Sequence, residues 1–428
     1  VALSSTSTYG PEGLDLLRSR GPLLRLAVGN DPANVQLVHD VTTYTYDEGK
    51  PDGFAYHLVT TQTDALLLAG SAPEQLVDVT VTRNGYDPID AASPTGATSG
   101  WKVGSPTTVT ADAVPGGANL TAGVRYDAQG RAVESRRLGA ADADAGRARA
   151  AYYTAGAHPE RAECGNKPAW AGLPCANWVE GAITGHDPAR MAAALPVRTV
   201  TGYNRYGSVE QVTETATGPV AGATVTQTRT TTTAYDAADR VVSSIVAATG
   251  AGATTAPMPR TVNTYDPTTG HVTAVSAVDP ATGTVLSTVE KTFDALGRVT
   301  RYADAAGGWT ASVFDAYGKP VQVTDSLGST TSFTYDRAVE PRGFLTSVTD
   351  SVAGTISASY GPDGELLEQT LPGGVELRVG YDANRSPISR TYTRAGDGVV
   401  IASSAVVENS AGEWVTHTTE ASAKRYSY

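Results

Sequence analysis

The sequence repeats itself most clearly at Phe293-Asp294-Ala295-Leu296-Gly297-Arg298, which returns 21 residues later as Phe314-Asp315-Ala316-Tyr317-Gly318-Lys319. Both stretches follow the pattern aromatic-Asp-x-x-Gly-basic. Aspartate favours the first position of a type I turn because its carboxylate accepts backbone N–H groups, and glycine favours the last position, where φ is often positive. The flanking residues 299–302 and 321–324 alternate with period two and are rich in β-branched side chains. The pattern therefore predicts turns joined by β-strands.

The same motif recurs along the chain and sets the spacing of the strands. Asp-x-x-Gly segments beginning at Asp304 and Asp325 lie between the aromatic ones, so turns recur every 10 or 11 residues. This spacing leaves no room for a crossover helix, so consecutive strands must pair antiparallel, which predicts an all-β fold built as one long strip. The motif residues to which we assign a structural role are Tyr126, Asp127, Gly130, Arg131, Tyr235, Asp236, Tyr265, Asp266, Phe293, Asp294, Gly297, Arg298, Phe314, Asp315, Gly318, Tyr335, Asp336, Tyr381 and Asp382.

The side chains of the motif also predict how neighbouring units pack. We expect the Tyr and Phe rings to stack into a ladder along one rim, with Asp and Arg pairing across neighbouring turns. Asp239 and Asn384 stand in for the turn glycine, and His271 and Glu365 replace the basic residue. Repeat architectures use such residues to pack neighbouring units together, so we interpret the aspartates as structural and not catalytic.

Composition and charge narrow the function classes. The 428 residues carry a formal net charge of −12 without a Lys/Arg-rich run, so we expect no nucleic-acid partner. No apolar stretch approaches the ~18 residues of a membrane-spanning helix. The chain lacks His-Glu-x-x-His, Gly-x-Ser-x-Gly and Gly-x-x-x-x-Gly-Lys-[Ser/Thr] segments, which anchor common metalloprotease, hydrolase and nucleotide-binding sites. We therefore predict no cofactor, no metal and no catalytic residue, and favour a non-enzymatic role.

At these motifs the sequence resembles the rearrangement-hotspot (RHS) or YD-repeat family of bacterial polymorphic toxins, insecticidal toxin-complex C subunits and animal teneurins. Residues 46–60, 126–131, 164–175 and 293–319 carry the resemblance, which covers roughly residues 40 to 400. The resemblance implies a spiralling antiparallel β-sheet strip that forms a partial or complete shell around a C-terminal toxin segment. The paired Asp-Pro-x-Gly motifs of the family's self-cleaving core do not occur in residues 381–428. The autoprotease role is therefore not carried over.

On this interpretation the chain has three parts. Residues 1–40 form a lead-in segment, in which prolines allow at most one short helix. Residues 41–400 form the repeat strip, with 132–200 as an insertion or cap that includes a surface helix over 140–151. Residues 401–428 form the C-terminal end of the strip, and we interpret the tail as a truncation point within a shell. The two exposed edges of such a strip predict packing against the remainder of the same shell or another chain.

Two cysteines, Cys164 and Cys175, bracket a short loop in the insertion. An isolated pair in an acidic, exported protein favours a disulfide. The alternative is a zinc site with His158 and His186, although the spacing does not match the usual C-x(2–4)-C arrangement.

The sequence thus predicts a structural encapsulating segment of a secreted bacterial toxin, which encloses or escorts a toxin cargo. Long β-surfaces with exposed aromatic rings also bind sugars, so an extracellular carbohydrate-binding module, with a cell-surface glycan as partner, is the first alternative. A polysaccharide-cleaving enzyme built on the strip is the second. The candidate sugar-stacking residues are Trp101, Trp170, Trp178, Trp309 and Trp414.

Overall fold

The computed structural model describes residues 4–29, 31, 33–89, 98–137, 146–179, 196–220, 223–250, 258–382, 385–409 and 412–426. The chain divides into two compact units. Unit 1 comprises Val1–Arg83, Asp112–Gly117 and Thr310–Tyr428, and unit 2 comprises Asn84–Ala111 and Ala118–Trp309.

Unit 1 is built from strands that pair antiparallel with their neighbours in sequence. Its strands, of which β5 and β19 extend just beyond the unit, are β1 (Thr6–Tyr9), β2 (Leu16–Ala27), β3 (Val35–Tyr46), β4 (Val59–Leu68), β5 (Leu76–Gly85), β19 (Trp309–Phe314), β20 (Pro320–Asp325), β21 (Thr330–Thr334), β22 (Ser347–Asp350), β23 (Gly354–Tyr360), β24 (Leu366–Leu371), β25 (Val375–Tyr381), β26 (Pro387–Arg394), β27 (Val400–Glu408), β28 (Trp414–Thr419) and β29 (Ala423–Arg425).

Unit 2 follows the same antiparallel plan. Its strands are β6 (Thr108–Ala111), β7 (Leu120–Tyr126), β8 (Ala132–Arg136), β9 (Arg147–Tyr152), β10 (Pro174–Val179), β11 (Val197–Tyr203), β12 (Val209–Val220), β13 (Ala223–Tyr235), β14 (Val241–Thr249), β15 (Arg260–Tyr265), β16 (Val272–Val278), β17 (Val285–Phe293) and β18 (Val299–Ala303). It also contains the one-turn helix α1 (Gly100–Val103) and two 3-10 helices, Ala162–Cys164 and Pro168–Trp170.

The prediction of an all-β antiparallel fold is confirmed. Helices in the described ranges are at most four residues long, and none of them is long and apolar enough to cross a membrane. Residues 6–27, which the sequence allowed to hold a short helix, lie largely in β1 and β2. The predicted surface helix over 140–151 is wrong from Arg147 onward, because that part is β9 and pairs with β8 and β10. The rest of that segment lies mostly outside the described residues.

A β-bulge lies beside the turn in many repeats, on the strand that follows the turn. The strand register shifts immediately before Tyr126, Tyr265, Phe293 and Tyr381, among others. The extra residue, Val133, Thr273, Thr300 or Ile388 in these four cases, has no partner opposite it and bends its strand. The period-two pattern of the sequence gives no sign of these bulges.

Candidate functional site

The aromatic-Asp turns are the most regular constellation of polar side chains in the molecule. At Asp294, the backbone closes the turn by a hydrogen bond from the Gly297 N–H to the Asp294 carbonyl at 3.0 Å. The carboxylate Oδ1 then accepts the N–H groups of Leu296 at 2.9 Å and Arg298 at 3.0 Å. Gly297 adopts φ = +78°, the left-handed conformation that favours glycine. Asp294 therefore caps its own turn.

The same geometry recurs in both series of turns. In each, Oδ1 accepts the N–H groups two and four residues later at 2.8–3.0 Å. The aspartates with both bonds are Asp127, Asp236, Asp304, Asp315 and Asp325. Asp266 has a loop one residue longer and accepts from Thr268 and Thr269. Asp336 and Asp382 each accept a turn N–H as well. The predicted aspartates thus all lie in turns.

The second carboxylate oxygen binds a basic residue of the same turn. Arg298 Nε donates to Asp294 Oδ2 at 2.6 Å, and Arg131 and Arg240 repeat this contact with Asp127 and Asp236 at 2.8 Å. The hydrogen bond from the Arg298 N–H, followed by its guanidinium, holds the pKa of Asp294 below its usual value. In these three turns the arginine pairs within its own turn, since the turn folds residue i+4 back over residue i. The predicted pairing of Asp and Arg across neighbouring turns occurs between Asp363 and Arg385, at 3.1 Å.

Each aromatic ring links its own turn to neighbouring repeats. The tyrosine hydroxyl donates to a backbone carbonyl earlier in the chain, as Tyr265 does to Val241 at 2.7 Å and Tyr381 to Leu366 at 2.9 Å. The basic residue of one turn lies over the aromatic ring of the next module. Such pairs are Arg131 with Tyr152 at 4.2 Å, Arg240 with Tyr265 at 4.4 Å, Lys319 with Tyr335 at 4.7 Å and, stacked, His271 with Phe293 at 4.7 Å. In these modules the rings alternate with basic side chains instead of stacking directly as predicted.

Two turns show what replaces glycine at the left-handed position. Asp239 has φ = +60°, as predicted, and its carboxylate accepts the Asn204 side-chain amide of the preceding turn at 2.6 Å. In the Asp382 turn, the residue at this position is Arg385, with φ = +67°, because the Arg385 N–H closes the turn on the Asp382 carbonyl. The assignment of that role to Asn384, which lies outside the described residues, is therefore wrong.

A disulfide joins Cys164 and Cys175, whose Cα atoms are 5.6 Å apart and whose side chains are fully buried. Around it, Tyr153 and Tyr203 meet edge to face with ring centroids 6.3 Å apart, and Trp170 packs against both. The disulfide is thus confirmed. The zinc alternative is wrong, because both sulfurs are bonded to each other and cannot act as thiolate ligands.

The described ranges contain no candidate metal centre. No cluster of three or more His, Cys, Asp and Glu residues that could hold a metal ion occurs there. His39 contacts the Gly21 carbonyl, His57 contacts Asp15 and His417 contacts Ser404, so the histidines lie in separate structural contacts. His57 lies just before β4. His186 lies outside the described residues.

The tryptophans are mostly packed or covered by cations. Trp101 is 5% exposed, and Trp170 belongs to the disulfide cluster. Arg161 lies 4.5 Å from the ring centre of Trp178, and Arg301 lies 5.2 Å from that of Trp309. Only Trp414 among the five is an exposed residue, at 47%. The structure therefore shows no row of open indole faces in the described chain.

One constellation in unit 2 is not among the sites predicted from the sequence. Glu134, with a side chain 1% exposed, accepts from Arg136 at 2.7 Å and from Arg147 at 2.8 and 2.9 Å. Arg125 lies 3.2 Å and Arg149 3.7 Å from the same carboxylate. Burial alone would raise the pKa of Glu134, but the hydrogen bonds from Arg147 and Arg136 lower it from 4.5 to about 2. In the sequence, the charged residues at every second position of β8 and β9 could have indicated this cluster.

Comparisons with known proteins give a match to one family model and to several solved structures. The family model of the RHS repeat matches residues 314–356. A crystal structure of TcdB2-TccC3-Cdc42 is similar at 13% identity and a TM-score of 0.21, covering 98% of this chain and 27% of that chain. The Photorhabdus luminescens Tc holotoxin pore is similar at 12% identity and a TM-score of 0.21, covering 97% and 27%. The chain thus spans about a quarter of the length of these solved chains. No curated protein sequence matches it.

Proposed function

We propose that this chain, whose residues 314–356 match the RHS-repeat family model, is a structural segment of a secreted bacterial toxin shell, which encloses or escorts a toxin cargo. The observation that carries this proposal is that the carboxylates of the aromatic-Asp motif are hydrogen-bonded within their own turns. Each Oδ1 accepts backbone N–H groups of its own turn, and in three modules Oδ2 binds the arginine of that turn. A carboxylate engaged in this way supports the fold, whereas a general acid or base must reach a substrate.

The contacts between modules support the same role. A basic residue of one turn covers an aromatic ring of the next module, as Arg240 covers Tyr265, and the Tyr265 hydroxyl binds the carbonyl of Val241. Units that stabilise mainly their nearest neighbours can be added in series, which suits a wall of extended length. The proposed partners are the remainder of the same shell or another chain, and the toxin cargo.

Export is part of the proposal. The Cys164–Cys175 disulfide supports it, because disulfides persist in oxidising compartments and are rare in the reducing cytosol. The acidic charge of −12 is compatible with a protein that avoids nucleic acid.

The proposal can be tested on the complete gene product by limited proteolysis of the purified particles. A segment enclosed by the shell should resist protease at concentrations that digest the same segment expressed alone. Opening the particle with mild denaturant should restore digestion. Equal digestion rates inside and outside the particle would contradict encapsulation. Glycan binding that is lost in Trp414→Ala, while the particle remains intact, would instead favour the carbohydrate-binding alternative.

A further inference from the structure

A small cavity in unit 2 adjoins the arginine cluster around Glu134. It has a volume of about 220 Å³, and its lining includes Arg125, Arg131, Tyr152 and His158. Sites for drug-sized ligands measure roughly 300 to 1,000 Å³, so this cavity suits a smaller group. Two guanidinium groups in the wall of one small cavity favour an anion, since arginine forms paired hydrogen bonds to planar and tetrahedral oxyanions.

The acidic residues of the cavity wall each have an arginine partner. Asp127 binds Arg131 at 2.7 Å, and Glu160 binds Arg149 at 2.5 Å. Together with the adjoining cluster, five arginines and three carboxylates share this region, which leaves an excess of two positive charges to attract an anion.

The adjoining cluster adds positive charge. Its ion pairs join Arg125, Arg136, Arg147 and Arg149 to Glu134, with arginine side chains only 10–23% exposed. Guanidinium groups stay charged at any physiological pH, so this charge cannot be relieved by loss of a proton. In partly buried surroundings the field of the cluster is weakly screened by solvent.

His158 supplies a neutral donor to the same cavity. Its Nδ1 accepts the N–H groups of Glu160 at 3.2 Å and Arg161 at 3.0 Å. A ring nitrogen that accepts hydrogen bonds carries no proton, so the ring is in its neutral form, and burial lowers the pKa of His158 in the same direction. With Nδ1 an acceptor, the proton of the neutral ring is on Nε2.

We propose that this cavity binds a phosphate or sulfate group, held by Arg131 and Arg125 with His158 as a further donor. The oxyanion is either a free ion or the terminal ester of a larger molecule. Among the described aromatic-Asp turns, the Asp127 turn is the one whose residues line this cavity. The proposed site is therefore a feature of this repeat and not of the repeats in general.

Isothermal titration of the full chain at low ionic strength and pH 7 tests the site with inorganic phosphate, inorganic sulfate and glucose 6-phosphate. Saturable binding of an inorganic ion is expected, and tighter binding of glucose 6-phosphate would identify an ester as the preferred form. Arg131→Gln should weaken binding about tenfold or more, because it removes a charge in contact with the ion. Arg240→Gln is the matched control, since Arg240 makes the same contacts with its turn aspartate and with the next tyrosine but lies in another repeat.

Glu134→Gln separates a binding role from a structural one. It removes the carboxylate charge that pairs with Arg125, so it should tighten phosphate binding although it destabilises the fold. If that variant does not fold, the comparison of Arg131→Gln with Arg240→Gln decides alone. The proposal is overturned if neither ion binds the wild-type chain at millimolar concentration, or if both arginine variants bind as the wild type does.

Discussion

Two segments of unit 2 are stabilised by different kinds of interaction. The regular segment, residues 258–309, has a single buried residue, Val278, and relies on turns and half-buried strands. The irregular segment, residues 118–203 as far as they are described, surrounds its disulfide with a buried cluster. The cluster consists of Ala151, Tyr153, Cys164, Cys175, Ala176, Val200 and Tyr203. Buried Arg125 and Glu134 lie in the same segment.

The two kinds of interaction distribute the free energy of unfolding differently along the chain. A repeated turn distributes stability in small, local amounts, so that any one unit can vary without unfolding its distant neighbours. A buried cluster concentrates stability, so that a single change in it is costly. The irregular segment should therefore respond to point substitutions more strongly than the regular one.

The largest effect is expected for Glu134→Gln in the irregular segment. Removing one charge of a buried ion cluster leaves the arginines with less compensation, which typically costs about 3 to 5 kcal/mol. Urea unfolding of the variant and the wild type measures the change in unfolding free energy. A loss below about 1 kcal/mol would show that the cluster is not a centre of stability.

Acid should weaken the irregular segment through the same residue. The pKa of Glu134 is lowered in the folded chain to about 2, from 4.5. Its contribution is therefore full above pH 4.5 and is lost as the pH falls toward 2, by about 3 kcal/mol in all. The wild type should lose stability over this range more steeply than Glu134→Gln, as measured by urea unfolding at successive pH values. Parallel pH curves for the two proteins would refute the assignment.

Loss of the disulfide should have a similar cost. Cys164→Ser with Cys175→Ser opens a short loop, and loop-closure entropy puts the loss at roughly 3 kcal/mol. The measurement is thermal unfolding of the double variant against the oxidised wild type. Reduced wild type serves as the control and should behave like the variant. An unchanged melting temperature would mean that the aromatic packing alone holds the cluster.

A smaller loss is expected for Gly297→Ala in the regular segment. Its φ of +78° disfavours a side chain, and an added Cβ would lie 2.9 Å from His271 Nε2. The expected cost is about 1 to 2 kcal/mol. Gly156→Ala is the control, because no neighbour lies within 4 Å of the added atom and φ is not positive there. Equal stabilities of the two variants would show that the left-handed conformation at Gly297 does not contribute to stability.

The smallest effect is expected for Tyr265→Phe. The variant loses the 2.7 Å hydrogen bond to the Val241 carbonyl but keeps the ring under Arg240, so the cost should be about 1 kcal/mol. Tyr302→Phe, on a residue 39% exposed, is the control and should be neutral. Denaturation midpoints of the two variants measure the difference. A loss above about 3 kcal/mol would place the regular segment in the same class as the irregular one.

The turns and the disulfide could be predicted from sequence because they depend on residues close together in the chain. Asp294 and Gly297 share one turn, and Cys164 and Cys175 close one loop. The Glu134 cluster could not, since strand register brings Glu134 opposite Arg125 on one side and Arg149 on the other. The ladder was mispredicted for a related reason. Which ring meets which basic residue depends on contacts between modules that lie 16 to 25 residues apart in the chain, as Lys319 and Tyr335 or Arg240 and Tyr265 do.

The central claim is that the motif aspartates hold their own turns together. Amide hydrogen exchange of the native chain tests it most directly at Leu296 and Arg298, whose N–H groups bind the Asp294 carboxylate. Exchange at both sites should be slow in the wild type and faster in Asp294→Ala, while the corresponding amides of the Asp236 turn stay protected. Fast exchange at both amides in the wild type, or no change on removing the carboxylate, would contradict the claim.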